Sequence, residues 1–188
     1  TIQRRLTVRD VAAMLRQGRI DPDLIFELID GEIIELGPSF SLQSYVSARL
    51  VTKLGVFAEV AGGQVFDSSG GFAVGRDRQQ LRAPDVSYIG PRHQRPVGRE
   101  FLDGAADLSV EVLSDRQSGL AYARGKVREY LDAGGQLVWL VDPFNREVRI
   151  YEAGSDELRR VSGEGVLTLE PIASGFALKV AELFPPEG

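Results

Sequence analysis

The sequence predicts an α/β fold, a central mixed β-sheet flanked by helices, with an N-terminal helix and hairpin and a strand-rich C-terminal part. Three observations predict it. An apolar run at 107–113, a helical stretch ending at Gly134-Gly135 and a second apolar run at 136–142 form a βαβ-like unit. A capped amphipathic segment and a hairpin signal precede it, and alternating segments such as "REVRIYEAG" and "VLTLEP" follow it. The 188 residues, 43% hydrophobic and 26% charged, suffice for one domain over 1–188 with a sizeable core.

"TVRDVAAMLRQG" opens with Thr7 and has Asp10 three residues later, with apolar residues at Val8, Val11, Ala12 and Leu15. This is a capped helix closed by Gly18. In "LIFELIDGEIIEL" two apolar-rich runs flank Asp30-Gly31, the signal for a tight hairpin. Leu42, Val46, Leu50, Leu54 and Phe57 predict a long helix over about 40–60, stopped by Gly62-Gly63. "GQVFDSS" and "GGFAVG" read as short strands about a glycine-rich turn. Residues 76–83 are polar and arginine-rich, extended structure resumes at "APDVSYIG", and 90–104, rich in Gly, Pro and Arg, reads as a loop. "FALKVAELF" closes the chain as a strand.

Composition narrows the function. No run approaches the roughly 20 apolar residues of a membrane helix. "TIQRRLTVRD" lacks the apolar core of a signal peptide, so a cytoplasmic protein is expected. With no cysteine and a single histidine, His93, disulfides are excluded and a zinc centre is not expected. The glycines lack the spacing of a phosphate-binding loop. A net charge of −5 weighs against tight non-specific DNA binding, though it leaves room for a local basic rim. His93, with Arg92, Arg95 and Arg99, reads first as a solvated loop and second as a phosphate contact. Trp139, in an apolar strand, reads as core.

Three acids interrupt or border apolar strands: Glu27 in "IFELI", Asp85 in "APDVSYI" and Glu111 in "SVEVL". A carboxylate flanked by valines is costly to bury unless paired, protonated or bound to a cation. By alternation Glu111 shares a face with Ser109 and Leu113, and Glu27 with Ile25 and Ile29. Taken singly, each acid reads as an exposed strand-end residue or an arginine partner. Together they suggest a shared divalent site, since Mg²⁺ uses carboxylate oxygens with waters and phosphates. Lys126 has Glu129 and Tyr130 at i+3 and i+4. On helix spacing alone, an exposed lysine paired with Glu129 or Asp115 is the simpler reading.

The ordered set "FELIDGEI", "APDVSYI", "DLSVEVLS", "GKVREYLDAGGQLVWLVDP" and "GFALKVAELF" resembles the Uma family of putative restriction endonucleases, within the PD-(D/E)XK nuclease superfamily. The similarity runs from about Thr7 to Phe184. It implies a restriction-endonuclease-like fold and a phosphodiesterase site dependent on Mg²⁺ or Mn²⁺. It implies that Glu27 matches the family's hairpin glutamate, Asp85 the aspartate of "PD", Glu111 the glutamate of "E-V-x-S" and Lys126 the lysine of "K-x-x-x-Y". Asp85, Glu111 and Glu27 are then metal ligands, and all four residues are catalytic and converge on one cleft. The superfamily's usual lysine, two residues after the acid, is Leu113 here. The histidine that relatives carry near the start of the second helix is Gln43, and an acid common before the helical lysine falls near Ala121.

The expected activity is hydrolysis of DNA phosphodiester bonds, with a homodimer supplying two sites for two strands. The alternative is a catalytically inactive nuclease-fold protein that binds nucleic acid or protein, favoured by the acidic charge and by Leu113. A two-carboxylate glycosidase is a weaker third reading, since no sugar-stacking platform stands out.

Overall fold

The computed structural model describes residues 5–75, 79–114 and 118–186. It opens with α1 (Val8–Arg16), closed by a reciprocal cap. Thr7 Oγ1 accepts the Asp10 N–H at 3.2 Å, and Asp10 Oδ2 accepts the Thr7 N–H at 2.9 Å. Val8 and Val11 of α1 pack against Phe26, Leu28 and Leu81. Strands β1 (Phe26–Ile29) and β2 (Glu32–Glu35) form the expected hairpin, turning through Asp30 and Gly31 at φ 49° and 78°. Gly31 is required twice over, because a Cβ there would lie 2.5 Å from Arg5 Cβ.

Helix α2 (Ser41–Ala61) buries Val46, Leu50 and Leu54 and stops at Gly62. Then follow β3 (Gln64–Asp67), β4 (Phe72–Ala73), β5 (Leu81–Arg82), β6 (Val86–Ile89), β7 (Leu102–Asp103) and β8 (Leu108–Val112). Helix α3 (Ser118–Asp132) leads into β9 (Leu137–Asp142) and β10 (Glu147–Glu152). Strands β11 (Arg159–Ser162), β12 (Val166–Leu167) and β13 (Leu178–Lys179) and a 3₁₀ turn at Val180–Leu183 finish the chain.

Among the described residues the strands form a mixed six-stranded sheet, β11-β10-β9-β8-β6-β3, a five-stranded sheet, β2-β1-β5-β4-β7, and the pair β12-β13. Strands β8 and β9 lie parallel and adjacent, joined through α3, so the βαβ unit is present. Val110 is flanked by Val86 and Trp139 in register, and all three are fully buried in the main core with α2 and the C-terminal segments. The opposite face of the sheet meets α3, where Val127 and Tyr130 pack on Ile89 and Val138. No helix among the described residues is long and apolar enough to cross a membrane.

Four local expectations change. The stretch 76–83 contains strand β5, which pairs with both β1 and β4, while residues 76–78 lie outside the described residues. The end of the 90–104 loop is β7, parallel to β4. Strands β3 and β4 do not pair with each other; Gly70-Gly71 hands the chain from one sheet to the other. The last segment leaves its strand at Lys179 and becomes 3₁₀. All are two-residue pairings or strand ends, fixed by neighbours distant in sequence.

Candidate active site

Glu27 stands on β1 with its neighbours Phe26 and Leu28 in the core beneath α1, so alternation sends its side chain to the other face, toward α3. It is completely buried and accepts four hydrogen bonds. Oε1 takes the Lys126 ammonium at 2.9 Å and the Ala83 N–H at 3.2 Å. Oε2 takes Arg82 Nη1 at 2.8 Å and the Tyr122 hydroxyl at 3.2 Å. Burial opposes its charge, but Lys126 and Arg82 outweigh burial and hold the carboxyl below its usual range. Arg82 turns its other edge to Glu129, giving Nε and Nη2 to the two carboxylate oxygens at 2.6 and 2.8 Å.

Asp85 and Glu111 meet through strand register. Val86 pairs with Val110 in the antiparallel β6–β8 ladder, so one residue further Asp85 lies opposite Glu111 with both side chains on one face. Asp85 Oδ2 accepts the Val112 N–H at 2.6 Å. Glu111 accepts the Tyr130 hydroxyl at 2.6 Å and Lys126 Nζ at 3.1 and 3.2 Å. Burial, only partly offset by the Val112 N–H, pushes the Asp85 carboxyl up. Burial also pushes Glu111 up, to about 7, with Asp85 adding to the rise against Lys126. Burial works against the charge of Lys126, yet Glu111 and Glu27 together raise its pKa, so it is an ammonium at neutral pH.

The structure thus gathers Glu27, Asp85, Glu111 and Lys126 in one place, at the junction of the two large sheets and α3. Lys126 is buried between Glu27 and Glu111 rather than exposed beside Glu129, and Asp115 lies outside the described residues. Arg82, Tyr122 and the Arg82–Glu129 pair escape sequence reading. Arg82 sits in a polar run with no apolar alternation to mark it as buried. Tyr122 leaves one usable signal, its position one helical turn before Lys126.

Other singled-out residues serve the fold. Gln43 is buried and gives its Nε2 to the Leu113 carbonyl at 3.1 Å, fastening the chain just after β8. Leu113 packs with Ala123 and Leu140. His93 Nδ1 lies 2.7 Å from Asp107 Oδ1, before the start of β8 and so at the far end of that strand from Glu111. Arg95 reaches the carbonyls of Asp103 and Ala105, tying down its own loop. Trp139 is fully buried, 6.2 Å from the Phe176 ring.

Among the described residues no three His, Cys, Asp or Glu side chains are grouped so as to hold a metal by themselves. Two facing carboxylates, with a lysine bonded to one of them, remain as the chemical feature of the site.

This architecture is shared with a protein of known structure. The chain superposes with TM-score 0.73 on the crystal structure of a putative nuclease belonging to DUF820 from Anabaena variabilis ATCC 29413, at 22% identity, covering 95% of this chain and 97% of that one. At that identity the likeness establishes the fold. The model of the Uma2 family, described as putative restriction endonuclease, matches residues 11–181, and the chain belongs to that family. No curated protein is similar enough to this chain to count as a relative.

Proposed function

We propose that the protein is an endonuclease that hydrolyses DNA phosphodiester bonds with the help of Mg²⁺ or Mn²⁺. The observation that carries the proposal is the Asp85–Glu111 pair, two carboxylates held face to face by strand register and both resisting ionisation. The surrounding charges point the same way. Four carboxylates, Glu27, Asp85, Glu111 and Glu129, face two cations, Arg82 and Lys126. Two of the four, Asp85 and Glu111, resist ionisation beside one another, and a divalent ion between them would favour their charged forms.

The donor set fits such an ion. Asp85 is half-buried and its Oδ1 takes no hydrogen bond from a described residue, and Glu111 lies opposite. Mg²⁺ is often bound by only one or two carboxylates, with waters and substrate phosphates completing its shell. When bound, the ion supplies Lewis-acid polarisation of a phosphoryl oxygen. Asp85 and Glu111 would hold it. Glu27, fully buried with two donors on each oxygen, would position Lys126 rather than ligate, whereas Glu111 Oε2 takes only Lys126. Lys126, kept protonated, is unsuited to act as a base and suited to donate to the charge that develops on the phosphoryl group. Tyr130 would fix the rotamer of Glu111.

A second reading rests on one observation: the ammonium of Lys126 is already shared between Glu27 and Glu111. If substrate does not draw it away, the protein is a catalytically inactive binder of nucleic acid or protein. A plasmid-cutting assay with Mg²⁺ or Mn²⁺ separates the two. Cutting by the wild type, suppressed at least about a hundredfold in Asp85→Asn and Glu111→Gln, is the expected result. Lys126→Ala should also suppress it. No cutting of varied DNA and RNA substrates by a protein that binds metal would leave the inactive binder. Cutting of both strands of a duplex would call for a two-fold dimer, measurable by light scattering.

A further inference from the structure

We propose that Tyr122 contacts the substrate, and that its ring stacks on an unstacked nucleobase, so that the site prefers a single strand or a locally opened duplex over intact B-form DNA. The inference rests on the nuclease reading only for the identity of the polymer.

Helix α3 carries Tyr122, Lys126 and Tyr130 at i, i+4 and i+8, one above another on a single face. Their exposure grades from 0% at Tyr130 through 6% at Lys126 to 54% at Tyr122. Glu27, Arg82 and Glu111 are buried and Asp85 is half-buried, so Tyr122 is the most exposed member of the cluster. Its ring is held in place. The hydroxyl donates to Glu27 Oε2 at 3.2 Å, and the Lys126 ammonium lies 5.3 Å from the ring centroid. An exposed aromatic side chain tethered at its polar end, beside the cation that would meet a phosphate, has the character of a stacking platform.

The charge of the whole chain supports the same choice. At −5 and a pI near 5.0, it is poorly suited to tracking a duplex through many phosphate contacts, which need a basic surface. Stacking on aromatic rings gains affinity without that surface, and it needs a base whose face is free. In an intact duplex every base face inside the helix is covered.

The test is fluorescence anisotropy with a short labelled phosphorothioate single strand and the matching blunt duplex, in Mg²⁺. The wild type should bind the single strand more tightly than the duplex. Tyr122→Leu should weaken single-strand binding about tenfold, and Tyr122→Phe, which keeps the ring, should stay within about twofold. Unchanged binding by Tyr122→Leu, equal loss in both variants, or a wild-type preference for duplex would overturn the proposal. So would a fall in melting temperature confined to Tyr122→Leu and large enough to account for its weaker binding, which would make the ring a structural element. Cutting of unmodified DNA is scored separately. Cutting with Tyr122-independent binding overturns this inference alone, and Tyr122-dependent binding without cutting overturns the nuclease reading alone.

Discussion

Glu111 lies between Val110 and Val112, whose side chains go into the main core while its own meets Lys126, Tyr130 and the facing Asp85. Its proton comes off at about 7 in the folded chain, against 4.5 for a free glutamate. Between those values the folded protein keeps a proton that the unfolded chain has released, so stability falls as pH rises across the interval and levels off above it. The difference is of order 3 kcal/mol, at about 1.4 kcal/mol per unit. Urea unfolding of the wild type and Glu111→Gln should therefore show the wild type losing ground to the variant from pH 4.5 to about 7. A gap between them that does not change with pH would refute the burial of an ionisable carboxyl there. Glu27 has the opposite sign: its lowered pKa makes its contribution present above 4.5 and lost as pH falls below it, and it does so in both proteins. Lys126→Ala leaves two buried acids without their shared cation, which should cost about 3–5 kcal/mol by the same unfolding measurement. A loss below about 1 kcal/mol would mean that the lysine is dispensable to the cluster.

At the scale of elements, the parts legible in the sequence are those whose stabilising contacts are local. The Thr7–Asp10 cap, the Asp30-Gly31 turn and the apolar periodicity of α2 each act within a few residues. The β8–α3–β9 unit was readable because strands buried on both faces are continuously apolar. Strands β5 and β7 were not, since two residues carry no periodicity and their partners, β1 and β4 for β5 and β4 for β7, lie elsewhere in the chain. The acids of the site were visible for the reason that hid Arg82: a charge in an apolar run stands out, and a charge in a polar run does not. Trp139 belongs to the legible part. It is fully buried on β9 between Val110 and Ile150 in register, so Trp139→Ala should lower stability by about 3–5 kcal/mol. An unchanged melting temperature would show that the indole is not a core element.

The molecule as a whole places its chemistry where its two large sheets meet. Glu27 and Arg82 come from the five-stranded sheet, Asp85 from the approach to β6, Glu111 from β8, and Lys126, Tyr122 and Glu129 from α3. Helix α3 is therefore joined to the five-stranded sheet through buried charge, and the same charges shape the site. The central claim is that Asp85 and Glu111 share a divalent ion, and an ion that binds only the folded chain must stabilise it. Thermal unfolding at a pH above 7, with and without Mn²⁺ or Mg²⁺, measures this directly. A hundredfold excess over Kd should add about 2.7 kcal/mol, or roughly 5–10 °C for a chain of this length. Asp85→Asn and Glu111→Gln should remain folded and lose that response. An equal metal-induced rise in the wild type and both variants, or no rise in any of them, would contradict a metal site at this carboxylate pair.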